Sequence, residues 1–195
     1  MTAGNSTTVM VTAKDAYGNV ATGYAGTVSF TSSDGQAVLP ANYTFTSAEA
    51  GVHTFSSGVT LKTAGSRSVT ATDTVTASIT GSQAGITVNP AVASSLKITA
   101  STYNPVVNTP FTVTVTALDA YNNPATGYTG TVKFTSSDKR AVLPHNYTFT
   151  TADNGAHTFT NGVTFRTTGS QTLTASDTTG KRITATFTVG TAPGG

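Results

Sequence analysis

The sequence has 195 residues, room for one or two domains. Charged residues make up only 9% of it, and 10 Lys and Arg against 8 Asp and Glu leave a formal net charge of +2. The basic residues are scattered singly, apart from Lys139-Arg140 beside Asp138. This excludes the basic face that nucleic-acid binding needs. With no cysteine, a disulfide framework and thiolate zinc sites are excluded too, and no apolar run approaches the ~18 residues of a membrane helix.

In chain order, Met1 leads straight into polar Thr2-Ala3-Gly4-Asn5. We read this as no signal peptide and as a start cut from a longer protein. From Val11 to Thr74 the chain reads VTAKDAYGNVATGYAGTVSFTSS…, and from Val115 to Thr178 it reads VTALDAYNNPATGYTGTVKFTSS…. Phe30 matches Phe134, a spacing of 104 residues that holds without a gap across the stretch. A period of this size is a whole domain rather than a solenoid repeat, so the expected domains are 1–90 and 91–195.

The second copy carries the strand signals most fully. Leu96 and Ile98 share one face of a first strand, Ser95 to Ala100. Phe111, Val113 and Val115 then alternate with Thr112, Thr114 and Thr116, and Val132 with Phe134 and Tyr147 with Phe149 follow. Phe159, Val163 and Phe165 share a parity, as do Leu173 and Ala175; Ile183, Ala185, Phe187 and Val189 close the unit on a last strand, Lys181 to Val189. Period-2 alternation broken by turn clusters such as Tyr121-Asn122-Asn123-Pro124 and Asp153-Asn154-Gly155 means strands with one buried face. About seven strands at this spacing predict a two-sheet sandwich. Thr160-Asn161-Gly162-Val163 can be a hairpin or part of one long strand with a glycine bulge; the second is preferred, since hairpin arms would be only about three residues. Met1 aligns with Pro105, so the first copy has no counterpart of the Ser95–Ala100 strand. Its sheet should carry an open edge that invites strand exchange.

Two stretches, Val11 to Asn19 and Val115 to Asn123, resemble the D-A-x-G-N strand-end motif of bacterial immunoglobulin-like domains, which recur in invasin- and intimin-type surface proteins. Gly23 to Phe30 and Gly127 to Phe134 are similar to the family's next strand, and Ala64 to Thr72 to its penultimate one. The stretch Ala37 to Phe45 is longer than the family pattern, and Asn122 stands where the motif has Gly. The resemblance implies an all-β fold of two tandem immunoglobulin-like β-sandwich domains, the first lacking its first strand, and a role as spacer or stalk at the bacterial surface.

The chemistry-bearing residues are few. His53 and His157 occupy the same repeat position and parity puts them on the core side; His145 has no repeat counterpart. Catalysis needs a nucleophile and an orienting acid beside them, and no G-x-S-x-G elbow occurs, so no catalytic residue is assigned and the chain is read as not an enzyme. The acids lie at strand ends and turns, where Asp commonly caps its own backbone. Asp15 with Asn19, and Asp119 with Asn123, are alternative calcium candidates through their hard oxygen donors, although six to eight ligands are needed; no other metal or cofactor is expected. Lys97 has no Asn on the last strand to form an isopeptide bond with. The expected function is a non-catalytic structural or adhesive repeat module, extracellular or at the cell surface. Its partners would be neighbouring repeats of the same polypeptide, with host or surface glycans or proteins left open. The alternatives are an accessory or carbohydrate-binding module of a polysaccharide-degrading enzyme, with Tyr17, Tyr24, Tyr121 and Tyr128 as its best contact residues, and a phage or virion decoration domain.

Overall fold

Alternating Thr and aliphatic residues fold, in a computed structural model that describes residues 1–180 and 183–194, into two compact units, Met1–Pro90 and Ala91–Gly195. Each is an antiparallel sandwich of the immunoglobulin-like kind.

The second unit shows the complete pattern. Its strands are β7 (Ser95–Ala100), β8 (Phe111–Leu118), β9 (Thr131–Ser136), β10 (Tyr147–Thr148), β11 (Ala156–Val163), β12 (Gly169–Asp177) and β13 (Thr184–Thr191). One sheet has the order β11-β8-β7, the other β10-β9-β12-β13. Strand β8 alternates between fully buried Phe111, Val113, Val115 and Ala117 and half-buried Thr112, Thr114 and Thr116. These apolar side chains meet Leu96 and Ile98 of β7, Val132 and Phe134 of β9, Leu173 and Ala175 of β12, and Phe187 and Val189 of β13 in one core. Lys181 and Arg182, with which the expected last strand opens, lie outside the described residues.

The first unit repeats this plan with one strand fewer: β1 (Ser6–Thr12), β2 (Thr27–Ser32), β3 (Tyr43–Thr44), β4 (Val52–Thr60), β5 (Gly65–Asp73) and β6 (Thr80–Val88). Its sheets are β1-β4 and β3-β2-β5-β6. β1 corresponds to β8, and among the described residues no strand pairs with its second edge, as expected from the alignment.

Two local expectations are refined. The long strand with a bulge is present: β11 pairs with β8 on both sides of a register shift between Phe159 and Val163. The left-handed residue of the bulge is not the glycine, however, but Asn161, and Ser57 in the first unit, with φ of 50° and 51°. Gly162 is needed for space instead: a Cβ there would lie 2.8 Å from the Phe159 side chain and 3.2 Å from Pro144. Second, a short 3₁₀ turn at Thr151–Asp153 leads into the expected turn cluster Asp153-Asn154-Gly155, and Ser47–Glu49 is its equivalent in the first unit.

Candidate functional site

The eight acidic residues of the chain fall at four equivalent positions in the two units. At every one of them the carboxylate ties down a connection between strands.

Asp15 and Asp119 close the turns that follow β1 and β8. Asp119 Oδ1 accepts the N–H groups of Tyr121 (2.8 Å) and Asn123 (2.9 Å), and its Oδ2 accepts the Asn123 amide (2.8 Å) and the Ala91 N–H (2.9 Å). Asp15 makes the same contacts to Tyr17 and Asn19. The difference is burial: Asp119 is 1% exposed, whereas Asp15 is exposed. Burial works against the charge of Asp119, but the Asn123 amide and then the Ala91, Asn123 and Tyr121 backbone N–H groups outweigh it and hold its carboxyl below the usual range.

Asp34 and Asp138 sit under the loops after β2 and β9. Asp34 Oδ2 accepts Lys62 N–H (2.6 Å) and Thr63 N–H (2.8 Å), while Oδ1 accepts the Thr63 hydroxyl (2.6 Å) and Gln36 N–H (2.9 Å). Asp138 does the same with Arg166, Thr167 and Arg140. Burial opposes the charge of Asp34, yet its hydrogen bonds, led by that of the Thr63 hydroxyl, hold it at about 2.

Asp73 and Asp177 end β5 and β12. Each accepts a tyrosine hydroxyl from 49 residues earlier in the chain, Tyr24 to Asp73 and Tyr128 to Asp177. The other oxygen of each takes N–H groups of the following turn, Val75 and Thr76 (both 2.8 Å) or Thr179 (2.6 Å). Burial and then the neighbouring carboxylate push Tyr24 up to about 12 and raise Tyr128 as well. Gly26 and Gly130 make this approach possible, because a Cβ at either would collide with the carboxylate and the tyrosine ring.

The fourth position carries the histidines. Glu49 accepts the Thr46 N–H (2.7 Å) and hydroxyl (3.1 Å), the Tyr43 hydroxyl (2.9 Å) and a contact from His53 Nδ1. Asp153 is bound likewise by Thr150, Tyr147 and, at 2.8 Å, His157. The Thr46 and Thr150 N–H groups come first in lowering both carboxyls to about 2. His53 stacks on Tyr43 with ring centroids 3.8 Å apart, and His157 on Tyr147 at 3.7 Å; Phe45 and Phe55, or Phe149 and Phe159, close the cluster edge-on. Acid, histidine and tyrosine therefore do meet, and the sequence reading had not paired them. The signal was present: Thr46-Ser47-Ala48-Glu49 has the Ser/Thr-x-x-Glu spacing of a capping box, with His53 four residues on. The histidines lie half-buried at the rim of the core, and His145 is exposed elsewhere.

The tyrosines proposed as carbohydrate contacts do not form one face. Tyr128 is 4% exposed and donates to Asp177, Tyr24 points inward in the same way, and Tyr17 is 92% exposed. The calcium candidates Asp15, Asn19, Asp119 and Asn123 are brought together as two turns whose carboxylate oxygens already face N–H donors. Among the described residues no group of three or more His, Asp or Glu is placed to hold a metal ion.

No family model matches the sequence, and no curated protein matches it. Solved structures similar to it include FdeC, an Escherichia coli adhesin (24% identity over 98% of this chain and 61% of that one, TM-score 0.43). They also include the Yersinia pseudotuberculosis adhesin InvE (20%, 98% and 56%, TM-score 0.41) and β-glucuronidase 3 of Bacteroides uniformis (16%, 85% and 21%, TM-score 0.40). Two of these three are bacterial adhesins. The chain spans less than two thirds of the length of each. Among the described residues no helix is long and apolar enough to cross a membrane.

Proposed function

We propose that the chain is a non-catalytic structural and adhesive module, a spacer or stalk segment of a large secreted bacterial surface protein. Its immediate partners would be neighbouring repeats of the same polypeptide. The repetition of the four carboxylate positions carries this reading. A carboxylate that serves as general acid or base must turn an oxygen toward a substrate, and one that binds calcium must turn it toward the ion. Here each faces N–H and O–H donors of its own turn or of a neighbouring loop or strand, which fixes the loops between strands. Conserving all four positions between the units, while the equivalent pair Met10 and Thr114 differs, fits a module selected for shape and rigidity.

Pulling the chain from both ends tests this. Two separate unfolding events are expected, each lengthening the chain by ~3.3–3.6 Å per released residue, with Asp138→Ala lowering the force of one event only. Saturable binding of a soluble polysaccharide that Tyr17→Ala abolishes would overturn the spacer reading in favour of an accessory carbohydrate-binding module.

A further inference from the structure

The first unit contains a groove of about 860 Å³ that runs along β1 and beneath β6. Its walls are the inner face of the sandwich: Val9 and Val11 of β1, Phe30 of β2, Leu61, and Ala71 of β5, with Gly81 and Gln83 of β6 at the rim.

The second unit shows what belongs in that place. There β7 lies antiparallel on β8, with Leu96 opposite Ala117, Ile98 opposite Val115 and Ala100 opposite Val113. Leu96 and Ile98 are 6% and 8% exposed and pack into the core. The equivalent positions in the first unit are Ala13, Val11 and Val9. Ala13 N–H bonds toward β4, through Gly51, so in an antiparallel strand the backbone groups of Thr12 and Met10 point to the open edge. Their counterparts Thr116 and Thr114 face Lys97 and Thr99 of β7.

The far wall is also altered. Gly81 and Gln83 stand opposite Ala71 and Val69, where β13 places Ala185 and Phe187 opposite Ala175 and Leu173. A bulge at Gly85, with φ of 69°, shifts the rest of β6 by one residue. The space beside Gly81 is open: a Cβ there would meet nothing within 4 Å.

We propose that this groove is a binding site for one extended polypeptide segment with aliphatic side chains at alternate positions, docked antiparallel on the free edge of β1. Backbone hydrogen bonds to Met10 and Thr12 would give affinity, and two aliphatic side chains seated over Val11 and Ala13 would give register and selectivity. The inference does not rest on the stalk reading.

The probe is a synthetic peptide of residues 93–101, Ala-Ser-Ser-Leu-Lys-Ile-Thr-Ala-Ser, added to the full chain. Saturable one-to-one binding is expected, with amide shifts at Met10 and Thr12. A peptide carrying L96S and I98S should bind at least about tenfold more weakly, since it loses two buried aliphatic groups. Gly81→Leu, which fills the groove without a backbone clash or a left-handed φ, should weaken binding by a similar factor and leave the fold intact by circular dichroism. Three outcomes overturn the proposal. They are no saturable binding, binding indifferent to Gly81→Leu (the peptide then displaces β7 in the second unit), and concentration-dependent dimerisation that buries β1 without peptide, which would make a second copy the occupant.

Discussion

Strands β1 and β8 carry closely related sequence and occupy the same place in their sandwiches, yet they live in different environments. In β8 every second residue is buried to 5% exposure or less. In β1 the corresponding Val9 and Val11 remain half-buried. The same contrast appears at Phe134, 5% exposed, and half-buried Phe30, although each makes the same edge-on contact with a partner phenylalanine at 4.9 Å. The difference comes from β7, which covers one sheet edge, and from β13, which places Ala185 and Phe187 where β6 has Gly81 and Gln83. Strands at the edges of a sandwich thus set the burial of residues on the strands between them, because its core is shared between two sheets.

The largest effect should come from core truncation. Phe134→Ala is expected to cost the second unit about 3–5 kcal/mol, and Phe30→Ala should cost the first clearly less, because part of its ring already faces the groove. Denaturant unfolding followed by probes specific to each unit measures both; equal losses would mean that the groove closes in solution.

Next is the tyrosine–aspartate pair. Tyr128→Phe removes the hydroxyl that Tyr128 donates to the buried Asp177 carboxylate and should cost about 1.5–3 kcal/mol. Tyr24→Phe should cost less, since the first unit's pair is more open to water. Thermal melts of the two single variants against the wild type give the comparison, and a larger loss for Tyr24→Phe would contradict it.

Acid should act on both units alike. Asp34, Glu49 and Asp153 are held at about 2 in the folded chain, against ordinary values of 3.8 for Asp and 4.5 for Glu. A carboxyl lowered by folding stabilises the protein above its unfolded value and loses that contribution as pH falls toward the folded one. The melting temperature should therefore stay level from neutral pH to about 5, then fall between about 4 and 2. Asp153→Asn should flatten the fall for the second unit.

The smallest expected effect is that of calcium. The carboxylates of Asp15 and Asp119 are occupied by N–H donors, so saturating calcium should leave both melting transitions in place. Binding to the native state alone would instead raise stability by a few kcal/mol.

Much of this was legible in the residues. Phe111, Val113 and Val115 alternating with threonine state a half-buried strand without further help, because the side-chain period of a strand is two. The turn from Asp119 to Asn123 is local and was readable as an Asx turn. The Thr46 to Glu49 capping box was equally local and could have been found by its spacing. What escaped were contacts that depend on register. Nothing in the sequence near Tyr128 names Asp177, 49 residues away, as its partner; strand pairing brings them together. Gly162 was read as the site of a bulge, and the structure puts the left-handed residue of that bulge at Asn161, with the glycine making room for Phe159 and Pro144.

The repeat, the strands, the turn-capping acids and the missing counterpart of β7 follow from the order of side chains alone, since each depends on neighbours a few residues away or on a direct alignment. The tertiary structure decided which acids meet which tyrosines and histidines, how far each core closes, and that Gly81 and Gln83 border an open groove. These outcomes depend on how two sheets are registered and stacked, a relation between residues that are distant in the chain.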